Sequence, residues 1–308
     1  MAGTVHLHAT TLPSTWANFP FVLFRRRPPV TEVGEPVEIR CDVARVRLDA
    51  SHVIRYAAMC GFPTPVPVPL TYPHVLVMPL HLAIFAQGAF PLRPMGLIHL
   101  SNAIETLADM RPGMALQISA AARNYRRLDA GLAFDMTTEI SSDGRPLWRE
   151  TCVFMSRWPE AAGRPAGRPP RPPKAPKDSV TLAEVDVARS TAWSYARVSG
   201  DYNPIHLNDR AARFFGLRGA IVHGMWSLAR SLAQEPLPAV PAGTRIDAQF
   251  LTPVQLPARV AIKEWVEDGQ VRRALCDLRT GRVHMYASWA RPVVEWCAGV
   301  SRENLSNP

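Results

Sequence analysis

The chain has 308 residues, of which 47% are hydrophobic and 20% are charged. This composition is that of a globular protein long enough for two domains, and it excludes a wholly disordered chain. No apolar run approaches the roughly 20 residues that a membrane-spanning helix needs. The short apolar stretch 19–24 is followed, not preceded, by basic residues, unlike a signal peptide. We therefore expect a cytoplasmic protein with no membrane partner.

The net charge of +9 is concentrated in two places, the three arginines at 25–27 and the segment 157–178. We interpret both as solvated surface, and the alternative is attraction of an anionic ligand or an acidic partner. No zinc-finger or RNA-recognition motif is present, so nucleic acid is not an expected partner. The five cysteines are odd in number and no two share a C-x-x-C spacing, which predicts buried thiols and no zinc site.

A proline-rich linker divides the chain, because seven of the 22 residues in 157–178 are proline. Such a segment has little to bury and is expected to be extended. The predicted organisation has five parts. They are an N-terminal extension (1–30), a first domain (31–157), the linker (158–178), a second domain (179–292) and a C-terminal tail (293–308).

The two predicted domains repeat one plan. In chain order, each has a short amphipathic helix stopped by glycine, then an apolar helix, then four strand candidates. In the first half the glycine is Gly61, the apolar helix spans about 76–88, and the strands are 98–107, 115–125, 132–141 and 147–157. In the second half the glycine is Gly200, the apolar helix spans about 221–234, and the strands are about 244–252, 257–266, 270–279 and 282–291.

The helix predicted at 221–234 is apolar nearly all round, which is typical of a helix buried on several sides. An antiparallel sheet that wraps around one such helix is a hotdog fold. The sequence therefore predicts an α+β protein with two hotdogs in tandem. The alternative, a single α+β domain with a long insertion, leaves the repeat unexplained.

The candidate chemistry lies in the segment 195–212 of the second half. Asp201 and His206 are five residues apart, which on a helix would separate them by ~140°. Pro204 breaks any helix through this segment, so we expect a loop in which the carboxylate and the imidazole converge on one small molecule. Asn203 is suited to bracing that turn. Such a pair can exchange protons near neutral pH, whereas a capping aspartate and a structural histidine are the alternative.

A second candidate block follows at 219–225 (GAIVHGM). Gly224 is predicted at the start of the buried helix, where free N–H groups favour negative charge and a glycine lets a ligand approach the backbone. These are the requirements of an oxyanion hole. For His223, a structural and a catalytic role remain equally open.

The run 199–206 (SGDYNPIH), with Tyr195 before it and Ala212 after it, resembles the signature of MaoC-like hydratases, also called hydratase 2 or R-specific enoyl-thioester hydratases. The block 221–225 (IVHGM) is similar to their second motif. The resemblance implies the hotdog fold, Asp201 and His206 as the catalytic pair, and Gly224 as the oxyanion donor. Ser199, Asn203 and His223 complete the predicted substrate-binding set.

The first half resembles the N-terminal half of two-domain 3-hydroxyacyl-thioester dehydratases in the runs 69–73 (PLTYP) and 96–99 (GLIH). The resemblance covers roughly residues 30–292. The segment 61–78 contains no acidic residue, and aligning the two apolar helices puts Pro79, which has no N–H, in the place of Gly224. We therefore expect one active site per chain, with the first domain housing the acyl chain.

The predicted reaction is the reversible hydration of trans-2-enoyl thioesters to (3R)-3-hydroxyacyl thioesters, without a metal or redox cofactor. Two alternatives remain, a hotdog thioesterase and a non-catalytic acyl-thioester binding protein. The substrate carrier, either coenzyme A or acyl carrier protein, and the oligomeric state, either monomer or homodimer, stay open at this point.

Overall fold

The computed structural model describes residues 3–32, 34, 36–63, 68–159, 175–234 and 242–290. The strands are β1 (Thr4–Ala9), β2 (Glu38–Arg47), β3 (Ile98–Thr106), β4 (Ala115–Leu128), β5 (Gly131–Ser142), β6 (Arg145–Arg157), β7 (Val180–Val187), β8 (Thr244–Phe250), β9 (Ala258–Glu267), β10 (Gln270–Asp277) and β11 (Val283–Ala290). The helices are α1 (Thr15–Phe24), α2 (Ala50–Cys60), α3 (Tyr72–Ala86), α4 (Arg189–Ser199), α5 (Pro204–Leu207), α6 (Asp209–Phe214) and α7 (Gly224–Leu232), with a 3₁₀ turn at Val30–Glu32.

The strands form one continuous sheet in the order β1-β2-β4-β5-β6-β3-β8-β11-β10-β9-β7. The first half contributes β2-β4-β5-β6-β3 and the second half repeats that order as β7-β9-β10-β11-β8. The two halves join where β3 and β8 pair in antiparallel fashion, from Ser101 opposite Gln249 to Thr106 opposite Thr244. The predicted tandem of two hotdogs is confirmed. The strands β1, β2 and β7 are additions that the sequence analysis did not predict, and β1 and β7 form the two edges of the sheet.

The two central helices are α3 and α7, and nearly all of their side chains are buried. Both differ from the predicted bounds at their starts. α3 begins earlier than predicted, at Tyr72, because Pro73 fits the first turn of a helix, where its missing N–H costs nothing. α7 begins later than predicted, at Gly224, because the preceding Ile221 pairs with Gln255 in an isolated β-bridge.

Glycine ends both amphipathic helices, as predicted. Gly61 after α2 has a φ of 83° and Gly200 after α4 has a φ of 73°, the left-handed conformation that glycine adopts without strain. α2 and α4 lie against each other at the junction of the halves, with the rings of Tyr56 and Tyr195 6.3 Å apart. This pairing brings the end of α4, where the candidate site begins, next to the first hotdog.

Residues 3–30 add two elements to the first hotdog. β1 adds a parallel edge strand to β2, and α1 packs against α3. Within the described residues, no helix has the length and apolar character to cross a membrane. Cys41, Cys60, Cys152 and Cys276 are buried free thiols, as predicted, whereas Cys297 lies outside the described residues. Most of the predicted linker, residues 160–174, and the tail from residue 291 also lie outside them.

Candidate active site

The segment after α4 is held by a sequence of short-range hydrogen bonds. The Asp201 N–H donates to Ser199 Oγ (3.2 Å), the Asn203 N–H to Asp201 Oδ1 (3.1 Å), and the Ile205 N–H to Asn203 Oδ1 (3.3 Å). Asn203 thereby caps α5, a single helical turn that starts with Pro204. The expectation of a loop without any helix was therefore wrong. Proline ends a helix that precedes it, but it also fits the first turn of a new helix, as Pro204 does here. His206 lies on this turn.

Asp201 and His206 converge, as their spacing predicted. Nε2 of His206 is 3.9 Å from Oδ2 of Asp201, too long for a direct hydrogen bond. The Asp201 side chain is 31% exposed and the His206 side chain 10%, so the carboxylate forms the solvent side of the pair. The Asp201 oxygen that faces His206 is the one that does not receive the Asn203 N–H.

The histidine tautomer is set by a backbone carbonyl. Nδ1 of His206 is 2.9 Å from the Ile221 oxygen, so Nδ1 carries the proton and Nε2 presents its lone pair towards Asp201. Burial lowers the pKa of His206 and the nearby Asp201 only partly offsets this, so the neutral imidazole is favoured at neutral pH. Nε2 is therefore available as a proton acceptor.

The carboxylate is favoured in its ionised form. Burial alone would raise the pKa of Asp201, but the neighbouring His223 and His206 lower it, and the net pKa lies below the usual range. At neutral pH the site therefore holds one carboxylate and one neutral imidazole, which face the same point.

His223 has a structural role in this geometry. Its Nε2 donates to the backbone oxygen of Asp201 (3.0 Å), and its ring stacks on His206 with centroids 3.7 Å apart. Burial, with a smaller contribution from His206, lowers the pKa of His223 to about 3. A neutral His223 thus contacts both catalytic candidates, and it is the residue that immediately precedes α7.

Gly224 is the first residue of α7, as predicted. The first N–H groups of a helix have no partner within it, so this end can stabilise a developing negative charge. The space that a side chain would fill is occupied by a ring, because a Cβ at Gly224 would lie 3.0 Å from Cδ1 and 3.1 Å from Cε1 of Phe250. The glycine therefore permits the close approach of Phe250. This packing role is additional to its predicted role as the oxyanion donor.

The predicted equivalence of Pro79 and Gly224 is wrong. Pro79 lies inside α3, seven residues after its start, because α3 begins at Tyr72. Tyr72 holds the first position of α3, as Gly224 does in α7, and its N–H donates to the Pro69 oxygen (2.8 Å). The following Pro73 has no N–H. The start of α3 is therefore a poor oxyanion site for a different reason from the one predicted.

Three further features were missed by the sequence analysis. Asp209 receives the Ala220 N–H (2.8 Å) and pairs with Arg189 (2.9 Å), which ties the catalytic segment to the start of α4. The Trp16 ring of α1 lies 5.1 Å from the Tyr202 ring, beside Asp201. A buried pair, His74 and Glu150, lies in the first hotdog (2.8 Å). All three depend on contacts between distant parts of the chain, and no local pattern signals them.

The ligand atoms of Asp201, His206 and His223 lie within 4.8 Å of one another, a spacing that a metal ion could use. One nitrogen of each histidine already donates to a backbone carbonyl, and in His223 it is Nε2, the atom nearest the carboxylate. Only His206 offers a free nitrogen to Asp201. The donors fit a proton-transfer pair better than a metal site.

The sequence profile of the MaoC like domain family matches residues 169–286, which contain this whole site. The 3-hydroxyacyl-thioester dehydratase X of Mycobacterium tuberculosis is 31% identical to the chain over 247 residues, 80% of this chain and 87% of that protein. A probable enoyl-CoA hydratase 2 of Dictyostelium discoideum is 25% identical over 136 residues, 43% of this chain and 46% of that protein.

The fold has a counterpart among solved structures. The crystal structure of HtdX from Mycobacterium tuberculosis matches with a TM-score of 0.70 and 29% sequence identity. The match covers 81% of this chain and 98% of that one, so it extends over both hotdogs.

Proposed function

Since the chain belongs to the MaoC-like dehydratase family, we propose that it adds water to trans-2-enoyl thioesters and removes it from (3R)-3-hydroxyacyl thioesters, with Asp201 and His206 as the catalytic pair. Family membership supports the general activity, that of a hydro-lyase that acts on acyl thioesters. The geometry of the site supports Asp201 and His206 as the catalytic pair, because the ionised carboxylate and the neutral imidazole nitrogen face one point and lie 3.9 Å apart.

The thioester carbonyl is polarised at the start of α7 in this proposal. The Gly224 N–H donates to the carbonyl oxygen, and the positive end of the helix dipole favours the negative charge that reaches this oxygen as C2 becomes enolate-like. C3 of the enoyl group thereby becomes electrophilic. No covalent intermediate with the protein is required.

Water is held between Asp201 Oδ2 and His206 Nε2, both of which accept hydrogen bonds at neutral pH. As the water oxygen bonds to C3, the pair takes one proton from it and returns one proton to C2. The pair therefore ends each turnover in its starting protonation state. Dehydration follows the same steps in reverse order, with hydroxide leaving C3 as water.

The acyl chain extends towards the first hotdog, whose α2 and α3 lie next to the end of α4. The carrier is coenzyme A or acyl carrier protein, and both are anions that suit a chain with a net charge of +9. Residues of both hotdogs thus contribute to one active site.

The test is a hydration assay with trans-2-enoyl-CoA substrates of increasing chain length and the same acyl groups on acyl carrier protein. We expect loss of the enoyl absorbance, a (3R)-3-hydroxyacyl product and no free thiol. Release of free thiol would instead identify a thioesterase. Binding without any change in the substrate would identify a non-catalytic acyl-thioester protein. A (3S) product would contradict the proposed stereochemistry.

A further inference from the structure

A cluster of potential metal ligands lies on the solvent face of β1 and β2, in the first hotdog. His6 and His8 are two residues apart on β1, so both side chains project from the same face of that strand. Asp42 of β2 stands opposite His8 in the parallel pairing of the two strands. The neighbours of Asp42 along β2, Cys41 and Val43, are buried, so Asp42 faces away from the core. Two imidazoles and one carboxylate from two strands therefore share one patch of surface.

The three side chains are close enough to hold one ion. Nε2 of His6 is 2.7 Å from Oδ2 of Asp42, and the rings of His6 and His8 have their centroids 4.3 Å apart. One ligand atom of each of the three residues lies within 4.8 Å of the other two. Zinc binds histidine nitrogen and carboxylate oxygen at about 2.0–2.2 Å, so its tetrahedral ligands lie about 3.3 Å from one another. Small side-chain rotations bring this cluster to that spacing.

Asp42 is held in its orientation and in its ionised form. Burial raises the pKa of its carboxyl group, but hydrogen bonds with Ser119, Arg40 and His6 lower it, and the net pKa lies below the usual range. Ser119 stands opposite Asp42 on the neighbouring strand β4. Partners of this kind fix the orientation of a carboxylate that binds a metal. The carboxylate can therefore bind a cation without first losing a proton.

Arg40 is the group that opposes a metal ion here. Its Nε donates to both oxygens of Asp42, at 3.0 and 3.1 Å, and its positive charge repels a second cation. The Arg40 side chain is 45% exposed, so the guanidinium can turn towards solvent while Asp42 binds a metal. Removal of this charge should therefore strengthen metal binding.

The cluster borders a surface depression with a volume of about 510 Å³. His8 and Asp42 line this depression together with polar side chains of β4 and β5, which include Gln117, Ser119 and Glu139. Water therefore reaches the cluster and can complete the coordination of an ion that has three protein ligands. Imidazole nitrogens favour zinc and related transition metals, whereas magnesium and calcium prefer oxygen ligands.

We propose that His6, His8 and Asp42 form a zinc site that fastens β1 to β2. β1 is an edge strand that pairs on one side only, over six residue positions, and the site takes two ligands from β1 and one from β2. Zinc binding therefore holds the N-terminal segment on the first hotdog. This segment continues into α1, whose Trp16 ring lies against Tyr202 of the candidate active site. The zinc site does not depend on the proposed reaction.

The test is a calorimetric titration of the full chain, without an affinity tag, with zinc chloride as the only metal. We expect zinc to bind at least about tenfold more weakly to His8→Gln and to Asp42→Asn than to the wild type. Arg40→Gln is the matched control, because it keeps all three donors and removes the competing charge, and it should bind zinc at least as tightly as the wild type. Asp201→Asn should bind zinc as the wild type does. An equal loss in Asp201→Asn would instead assign the zinc to the cluster at the candidate active site and overturn the proposal.

Hydrogen exchange of the β1 amides measures the fastening itself. A ligand that binds only the paired strand slows exchange through local opening in proportion to the ratio of free ligand to Kd, so zinc at about ten times its Kd should slow these amides about tenfold. The amides of β7, at the other edge of the sheet, are the control and should not change. A wild type that binds no zinc, an equal affinity in His8→Gln, or zinc binding without slower exchange in β1 would overturn the proposal.

Discussion

Nε2 of His206 and Oδ2 of Asp201 face each other across 3.9 Å without a hydrogen bond between them. A backbone group binds the other side of each side chain. The Ile221 carbonyl bonds Nδ1 of His206, and the Asn203 N–H donates to Oδ1 of Asp201. The facing atoms are therefore free to bind a third group.

The pH dependence of kcat/KM should show a plateau through neutral pH and a fall on the acid side. Activity requires ionised Asp201 and neutral His206, and both pKa values lie below their usual ones, so both forms persist until the pH falls below 6.5, the ordinary histidine value. Initial rates at low substrate concentration across pH 4–8 measure this. An acidic limb centred at or above 6.5 would contradict the neutral His206.

Gly224→Ala should destabilise the protein by roughly 1–3 kcal/mol, because the new Cβ would lie 3.0 Å from the Phe250 ring. Urea unfolding measures the change. The matched experiment adds Phe250→Leu, which removes the ring atoms that the new Cβ would crowd. In a protein that already carries Phe250→Leu, Gly224→Ala should therefore cost much less stability than it does in the wild-type protein. A fully stable Gly224→Ala would mean that the ring moves at no cost.

Gly224→Pro separates the oxyanion role from the packing role of this glycine. Proline is tolerated at the first position of a helix but has no N–H, so the donor is lost. We expect kcat to fall on the order of 10²–10³-fold, beyond the loss in Gly224→Ala. Equal rates in the two variants would remove Gly224 from the oxyanion hole.

Trp16→Ala tests whether the N-terminal segment supports the site. The Trp16 ring contacts Tyr202 although 64% of Trp16 is exposed, and an aromatic pair contributes about 0.5–1.5 kcal/mol. We expect kcat/KM to fall roughly twofold to tenfold. Phe24→Ala is the control, since it removes an aromatic side chain of the same helix that is 78% exposed. Equal effects of both changes would indicate a general loss of α1.

Local patterns predicted the parts of this molecule that local chemistry determines. Gly61 and Gly200 end helices because glycine adopts their positive φ at the lowest steric cost. The predicted strands formed where β-branched and aromatic residues lie between turn residues. Asp201 and His206 were predicted to converge because Pro204 makes one helix through both impossible. His223 was left open, and its bond to the Asp201 carbonyl now gives it a structural role.

The errors arose where distant segments decide the outcome. Aligning two apolar helices by their hydrophobic residues misplaced Pro79, since an apolar helix has no polar face that fixes its register. Trp16 and Tyr202 meet only because α1 packs on α3. His74 and Glu150 are 76 residues apart, and neither has a local motif that marks it as buried and paired.

The number of sites per chain follows from the asymmetry of the halves. The first hotdog has a proline after the first residue of α3, and the Tyr72 N–H there is already bonded to Pro69. Calorimetric titration with an unreactive thioester analogue should therefore give one site per chain. A stoichiometry of two would mean that the His74–Glu150 pair belongs to a second binding site.

The most direct test of the account is the turnover of Asp201→Asn and His206→Ala with a trans-2-enoyl thioester, beside Asp186→Asn, which alters an aspartate that is 82% exposed in its side chain. We expect both site variants to fold and to lose at least ~10²-fold in kcat, the scale of a positioned acid–base group, while Asp186→Asn stays at the wild-type rate. Near-normal turnover in either folded site variant would contradict the assignment of the catalytic pair.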